Sequence, residues 1–295
     1  MKRSVLSLVL FGFALTSYAA DNQIYIVQTN ATNSQIDIEQ LGSGNIVADN
    51  ASNTTTVNAA MNINGTGLNF NLDQIGSSNK FLADLSGNDG TYNFTFTGGS
   101  NVFTGQLNAA GSYNMNDFTF NNAVTGTSNQ FTVNIAQDAD AKDSSITWAF
   151  DGDDNIVFFN AATDYTHSNL SNLFGNRGNV TGAAADNMAL NWDVDGDDNV
   201  FKVAISSPYV TQDWDITGDD NTIDYIGIGN ANASSAATGH TSTINITGDY
   251  WDVDLIQRST NNNDWVNINA TGSGTSGSHA TLCIVQNDSG SAAGC

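Results

Sequence analysis

Residues 35–47 read Q-I-D-I-E-Q-L-G-S-G-N-I-V, and their pattern decides the fold class. Ile36, Ile38 and Gln40 share one parity, Gly42, Ser43 and Gly44 interrupt, and Asn45 and Val47 resume. Side chains on a strand point to alternate faces, so the first three residues line one face of a pleated strand. The glycines supply the backbone freedom of a sharp reversal. The stretch predicts strand, tight turn, strand.

The chain repeats it. A glycine followed three residues later by asparagine recurs at Gly42/Asn45, Gly76/Asn79, Gly98/Asn101, Gly126/Asn129, Gly152/Asn155, Gly196/Asn199 and Gly218/Asn221. Units at Gly248 and Gly272 keep the apolar flanks and lose the asparagine. Four and two places before the glycine stand Ile38 and Gln40, Leu72 and Gln74, Phe94 and Phe96, Trp148 and Phe150, Trp192 and Val194, Trp214 and Ile216. After it, Phe81 and Ala83, Phe131 and Val133, Val157 and Phe159, Phe201 and Val203 share the parity of the asparagine, which predicts an inward asparagine.

The tightest unit, Gly76 to Gly98, is 22 residues, enough for two strands and two turns, with Gly90 and Gly111 marking the second turn. One such unit cannot bury its own apolar face, so neighbours must stack on it. The prediction is an all-β fold, a β-solenoid of about nine flattened two-strand coils over residues 20–295. An irregular insertion is expected at about 161–187, and Pro208 is expected in a turn.

Residues 1–19 carry Lys2 and Arg3, an apolar run and then small residues, which reads as a secretory signal peptide. The run is too short for the roughly 20 residues of a transmembrane helix. The chain holds 7 basic against 30 acidic residues, a formal charge of −23. Losing Lys2 and Arg3 leaves five against 30, near −25. Nucleic acid and anionic lipid need a basic surface, so neither is expected as a partner, and no membrane insertion is expected. Cys283 and Cys295 are expected to form a disulfide in an exported chain.

The first two units resemble curlin repeats, the building blocks of the curli fibres of Gram-negative biofilm matrices. The resemblance rests on Ser34, Ile36, Ile38, Gln40, Gly42, Gly44 and Asn45, and then on Leu72, Gln74, Gly76 and Asn79. It implies that inward Gln40, Asn45, Gln74 and Asn79 stack into ladders, with Asn101 and Asn129 as weaker counterparts. From Phe96 on, the glutamine place holds Phe, Val or Ile, so the chain resembles a diverged member of that family.

A buried amide needs a partner, and stacked layers roughly 4.8 Å apart let each asparagine bond the one above. The ladder is therefore expected to include Asn155, Asn199 and Asn221 as well, although asparagines that only cap turns would need no ladder. D-G-D-D-N at 151–155 and 195–199, with T-G-D-D-N at 217–221, places Asp153, Asp154, Asp197, Asp198, Asp219 and Asp220 in two columns at one edge. These columns are a candidate calcium site or a solvated acidic turn that resists edge aggregation. Trp148, Trp192, Trp214, Trp251 and Trp265 are expected in the core; a glycan-binding strip would need them on the outward parity. His167, His240 and His279 are isolated, no catalytic motif stands out, and clustered Asp on a sheet face is the one route left to a solenoid hydrolase or lyase. The expectation is a non-enzymatic, secreted structural protein that associates with copies of itself, with curli-like fibre subunits or with surface glycans. Calcium-dependent adhesion is the alternative. The N-terminal coils are expected to polymerise and the C-terminal coils to act as a cap.

Overall fold

The computed structural model describes residues 23–47, 61–107, 117–135, 142–161, 186–206, 210–228, 240–258, 265–272 and 280–286. The expected signal peptide, Gly111, Pro208 and Cys295 lie outside them. Of the expected insertion, Ala161 closes one strand and Asp186 opens the next, and the residues between lie outside the described set.

Two short strands come first, β1 (Gln23–Ile24) and β2 (Val27–Thr32). Nine coils follow, each with a first and a second strand. Coil 1 is β3 (Gln35–Leu41) with β4 (Ile46–Val47) and β5 (Met61–Thr66). Coil 2 is β6 (Asn69–Ile75) and β7 (Lys80–Ser86), and coil 3 is β8 (Thr91–Thr97) and β9 (Val102–Leu107). Coil 4 is β10 (Thr119–Thr125) and β11 (Gln130–Ile135), and coil 5 is β12 (Lys142–Asp151) and β13 (Ile156–Ala161). Coil 6 is β14 (Asp186–Asp195) and β15 (Val200–Ser206), and coil 7 is β16 (Val210–Thr217) and β17 (Thr222–Ile228). Coil 8 is β18 (Thr241–Thr247) and β19 (Asp252–Arg258), and coil 9 is β20 (Trp265–Thr271) and β21 (Thr281–Gln286).

First strands pair only with first strands and second strands with second strands, all in parallel, giving sheets of nine and twelve strands. This is the β-solenoid that the repeat predicts. The register carries no slip from coil to coil: Gln40 pairs Gln74, which pairs Phe96, then Val124, Phe150, Val194, Ile216, Ile246 and Ala270. A slip of one residue would turn every core side chain outward, so the buried face holds the register.

The inner faces of the two sheets meet through aromatic rings. Phe81 sits 5.0 Å from Phe103 and 5.3 Å from Phe94, and Trp148, Trp192 and Trp214 stack with nearly parallel rings at 5.4 and 4.5 Å. Offset pairs of this kind are worth roughly 0.5–1.5 kcal/mol each beyond their buried area. Polar residues interrupt this core, and two of the places differ sharply in how they are satisfied. In coils 7 and 8 the Ser242 hydroxyl accepts from Gln212 (2.5 Å) and from Gln257 (2.7 Å), while Trp214 Nε1 donates to Gln212 Oε1 (2.9 Å), so the two sheets are tied across the interior.

The second place is Asn122, which stands in coil 4 where Phe94 and Trp148 stand in coils 3 and 5. It is buried, and neither amide atom has a hydrogen-bond partner. A buried polar group left unsatisfied costs about 1–3 kcal/mol. Asn122→Leu is therefore expected to stabilise the protein by about 1–3 kcal/mol, read as a higher midpoint in thermal unfolding. A lower midpoint would show that this amide contributes favourably to the fold.

Candidate functional site

The turns between first and second strands stack into a continuous edge. Its innermost column is Gly42, Gly76, Gly98, Gly126, Gly152, Gly196 and Gly218, all at φ between 113 and 145°. Glycine is required twice over at Gly196, where φ is 144° and an added Cβ would lie 2.3 Å from the carbonyl oxygen of Gly152. Turns therefore approach more closely than any side chain allows. Two places on, Gly44, Ser78, Ser100, Ser128, Asp154, Asp198 and Asp220 all occupy the left-handed region, which Asp tolerates better than most residues.

The asparagines behind the turn are buried, from Asn45 through Asn79, Asn101, Asn129, Asn155 and Asn199 to Asn221. Their bonding is chiefly main chain to side chain, with an amide-to-amide bond from Asn129 Nδ2 to Asn155 Oδ1 (3.0 Å). The main-chain N–H of each donates to the side-chain Oδ1 of the next coil's asparagine: Asn45 to Asn79 (3.0 Å), Asn79 to Asn101 (3.0 Å), Asn101 to Asn129 (2.9 Å), Asn129 to Asn155 (3.0 Å), Asn155 to Asn199 (2.9 Å) and Asn199 to Asn221 (3.0 Å). In the later coils Nδ2 turns back to glycine carbonyls: Asn101 to Gly98 (3.2 Å), Asn155 to Gly126 (3.1 Å) and Gly152 (3.2 Å), Asn199 to Gly152 (3.0 Å) and Asn221 to Gly196 (2.8 Å). At the turn the regular strand ladder leaves an N–H unpaired, and the side chain supplies the acceptor. Ladder and turn cap are thus one device. The series stops at Asn221 because Trp251 holds the place in coil 8.

The glutamine ladder has one rung, Gln74 Nε2 to Gln40 Oε1 at 2.7 Å, before Phe96 takes over the column. A third ladder was not singled out in the sequence and runs on the outer face of the first sheet. Asn71 Nδ2 donates to Asp37 (2.5 Å), Asn93 to Asn71 (2.8 Å) and Asn121 to Asn93 (2.8 Å). All four residues lie five places before a turn glycine, the signal that could have revealed them.

The aspartates form two columns with different roles. Asp153, Asp197 and Asp219 each accept the main-chain N–H of the next coil, from Asp197 (2.8 Å), Asp219 (2.6 Å) and Asp249 (2.6 Å). Asp154, Asp198 and Asp220 are exposed on the rim. Among the described residues no three His, Cys, Asp or Glu side chains converge to hold a metal ion. Partial desolvation, and then the carboxylates of Asp220, Asp154, Asp197 and Asp153, push the Asp198 pKa above the ordinary aspartate value. The folded protein therefore holds this proton more tightly than the unfolded chain, and the stability it contributes is lost as pH rises from the ordinary value near 4 through the folded value. Burial also raises Asp224, against the opposing Lys202 (3.5 Å), and raises Asp252. The melting temperature is expected to rise as pH falls from 7 toward about 4, and the rise is expected to shrink in molar salt. A melting temperature that falls steadily over this range would contradict the reading.

Three of the five tryptophans are core residues, Trp148, Trp192 and Trp214. Trp251 is half-buried at the turn, and Trp265 is 50% exposed. The core expectation fails for Trp265 because it shares the outward parity of Thr241 in the neighbouring strand, while Val266 and Ile268 point inward.

Among the described residues, the terminal strands of the stack have a neighbour on one side only. β3 and β20 are the terminal strands of the nine-stranded sheet, and β21 ends the other. In the last coil Val266 and Ile268 are half-buried, Leu282 is 43% exposed and Ile284 41%, and the cap expected there through Cys295 falls outside the described residues. Cys283, on β21, is disulfide-bonded. Comparison with protein-family models, with curated proteins and with solved structures finds no match.

Proposed function

We propose that this chain is a secreted structural protein of an extracellular curli-like fibre or biofilm matrix, associating with further copies or related subunits through its solenoid ends and serving adhesion and aggregation. The supporting observation is the in-register parallel stack, whose terminal strands have one neighbour each among the described residues, with Leu282 and Ile284 exposed on the last of them. Electron microscopy and fibre diffraction of the purified mature chain test it. Filaments with a meridional spacing near 4.8 Å are the expected result, and a protein that stays monomeric with no such spacing would sink the proposal.

A calcium-dependent adhesin or surface-layer protein is the second reading, favoured by the exposed Asp154, Asp198 and Asp220 column. Calorimetric titration with calcium separates the two. Saturable binding lost in a triple Asp→Asn variant of that column supports it, and the absence of heat rejects it.

A further inference from the structure

We infer that the outer face of the last two coils, centred on Trp265, is a docking surface for a neutral polysaccharide. Trp148, Trp192 and Trp214 are fully buried, whereas Trp265 presents half of its surface on the outward side of β20. Its main-chain N–H donates to the His240 carbonyl at 2.8 Å, which holds the strand under the ring in place. An indole face pairs with flat, C–H-rich surfaces, and its N–H adds a polar handle.

The surroundings select the ligand. The outward places beside Trp265 hold Asn267 and Asn269 on the same strand and Thr243 and Asn245 on β18, and no outward place of either strand is charged. Each amide offers donors and an acceptor together, the combination that a hydroxyl also offers. Neighbouring strands repeat every 4.8 Å or so, and alternate residues along a strand are roughly 6.6 Å apart, so the polar groups form a flat grid. On the next coils of this face stand Asp193, Asp195, Asp213 and Asp215, all exposed. They lie within about one Debye length of the grid and repel an anionic polymer. A chain of uncharged sugar rings, stacked on the indole and hydrogen-bonded to the amides, meets all of these conditions. The face lies to the side of the solenoid, so the inference stands independently of end-to-end assembly.

The test uses the mature full-length chain, co-sedimented with microcrystalline cellulose and with chitin, and with polygalacturonate covalently coupled to beads, free of calcium, as the anionic control. Retention on at least one neutral polymer is expected, reduced about tenfold or more by Trp265→Ala and partly kept by Trp265→Phe. Asn269→Asp, a near-isosteric change at an exposed place, should weaken retention without disturbing the fold. Equal retention of wild type and Trp265→Ala, no retention on either neutral polymer, or preference for polygalacturonate would overturn the inference. So would shielding of Trp265 from iodide quenching that grows with protein concentration alone, which would make the ring a contact between copies.

Discussion

Gly152→Ala is expected to break the stack at its fifth coil. The residue sits at φ 145°, and an added Cβ would lie 2.2 Å from the carbonyl oxygen of Gly126 and 2.7 Å from its carbonyl carbon. The neighbour cannot yield without cost. The Gly126 N–H donates to the Asp151 carbonyl at 2.8 Å, and the Gly152 N–H donates to the Asp195 carbonyl at 2.8 Å, so moving one turn strains the next. Strain at a positive φ costs about 1–3 kcal/mol and the steric overlap adds to it, for a loss on the order of 4 kcal/mol. That is a large part of the roughly 5–15 kcal/mol that holds a domain folded. Urea unfolding followed by circular dichroism should show a much lower midpoint. Asp154→Gly, which installs the residue that coil 1 carries as Gly44, should leave the midpoint unchanged or raise it. Equal midpoints for Gly152→Ala and wild type would mean that the turns do not stack as closely as described.

Asn155→Ala is expected to cost about 3 kcal/mol or more, since it strands several buried groups at once. The Asn129 N–H and Nδ2 both lose their acceptor at 3.0 Å, and the carbonyls of Gly126 and Gly152 lose a donor. Asn155→Asp separates the roles of the two ends of the amide. It keeps the acceptor and removes the donors, while placing a carboxyl among carbonyl oxygens in a fully buried place. Burial and those carbonyls favour the protonated acid, so the folded pKa lies above the unfolded one. The damage should accordingly be severe at neutral pH and recede as pH drops through the raised value, whereas the alanine variant should show no such recovery. Thermal melts of both variants at pH 7 and pH 5 decide the matter. An aspartate variant with no pH-dependent recovery would contradict the bonding pattern.

The parity of Ile38, Gln40, Asn45 and Val47, repeated at each glycine, was sufficient to state the coil, the inward asparagines and the number of layers. This information is local: period-two alternation sets the face of each residue, and a glycine at constant offset sets the turn. The same parity, applied from Gly272, would have placed Trp265 outside. Partners were less legible, because the asparagine N–H groups and the Oδ1 atoms they meet are 22 to 44 residues apart and the choice depends on stacking direction and reach. No counting rule shows that an asparagine oxygen takes a main-chain N–H of the preceding coil, or that Asp153 does the same for the following one. Nor does it show that Ser242 joins Gln212 and Gln257 across the core.

By itself, then, the sequence determined the repeat, the register and the composition of each column, since these follow from spacing along one chain. Only the tertiary structure decided which groups satisfy one another between coils and how the last coil differs from those inside the stack. The physical reason is that an interior coil has a neighbour on both sides to bury its face and pair its backbone, whereas coil 9 has one among the described residues. Identical local patterns therefore yield a closed core in the middle and a half-open surface at the end.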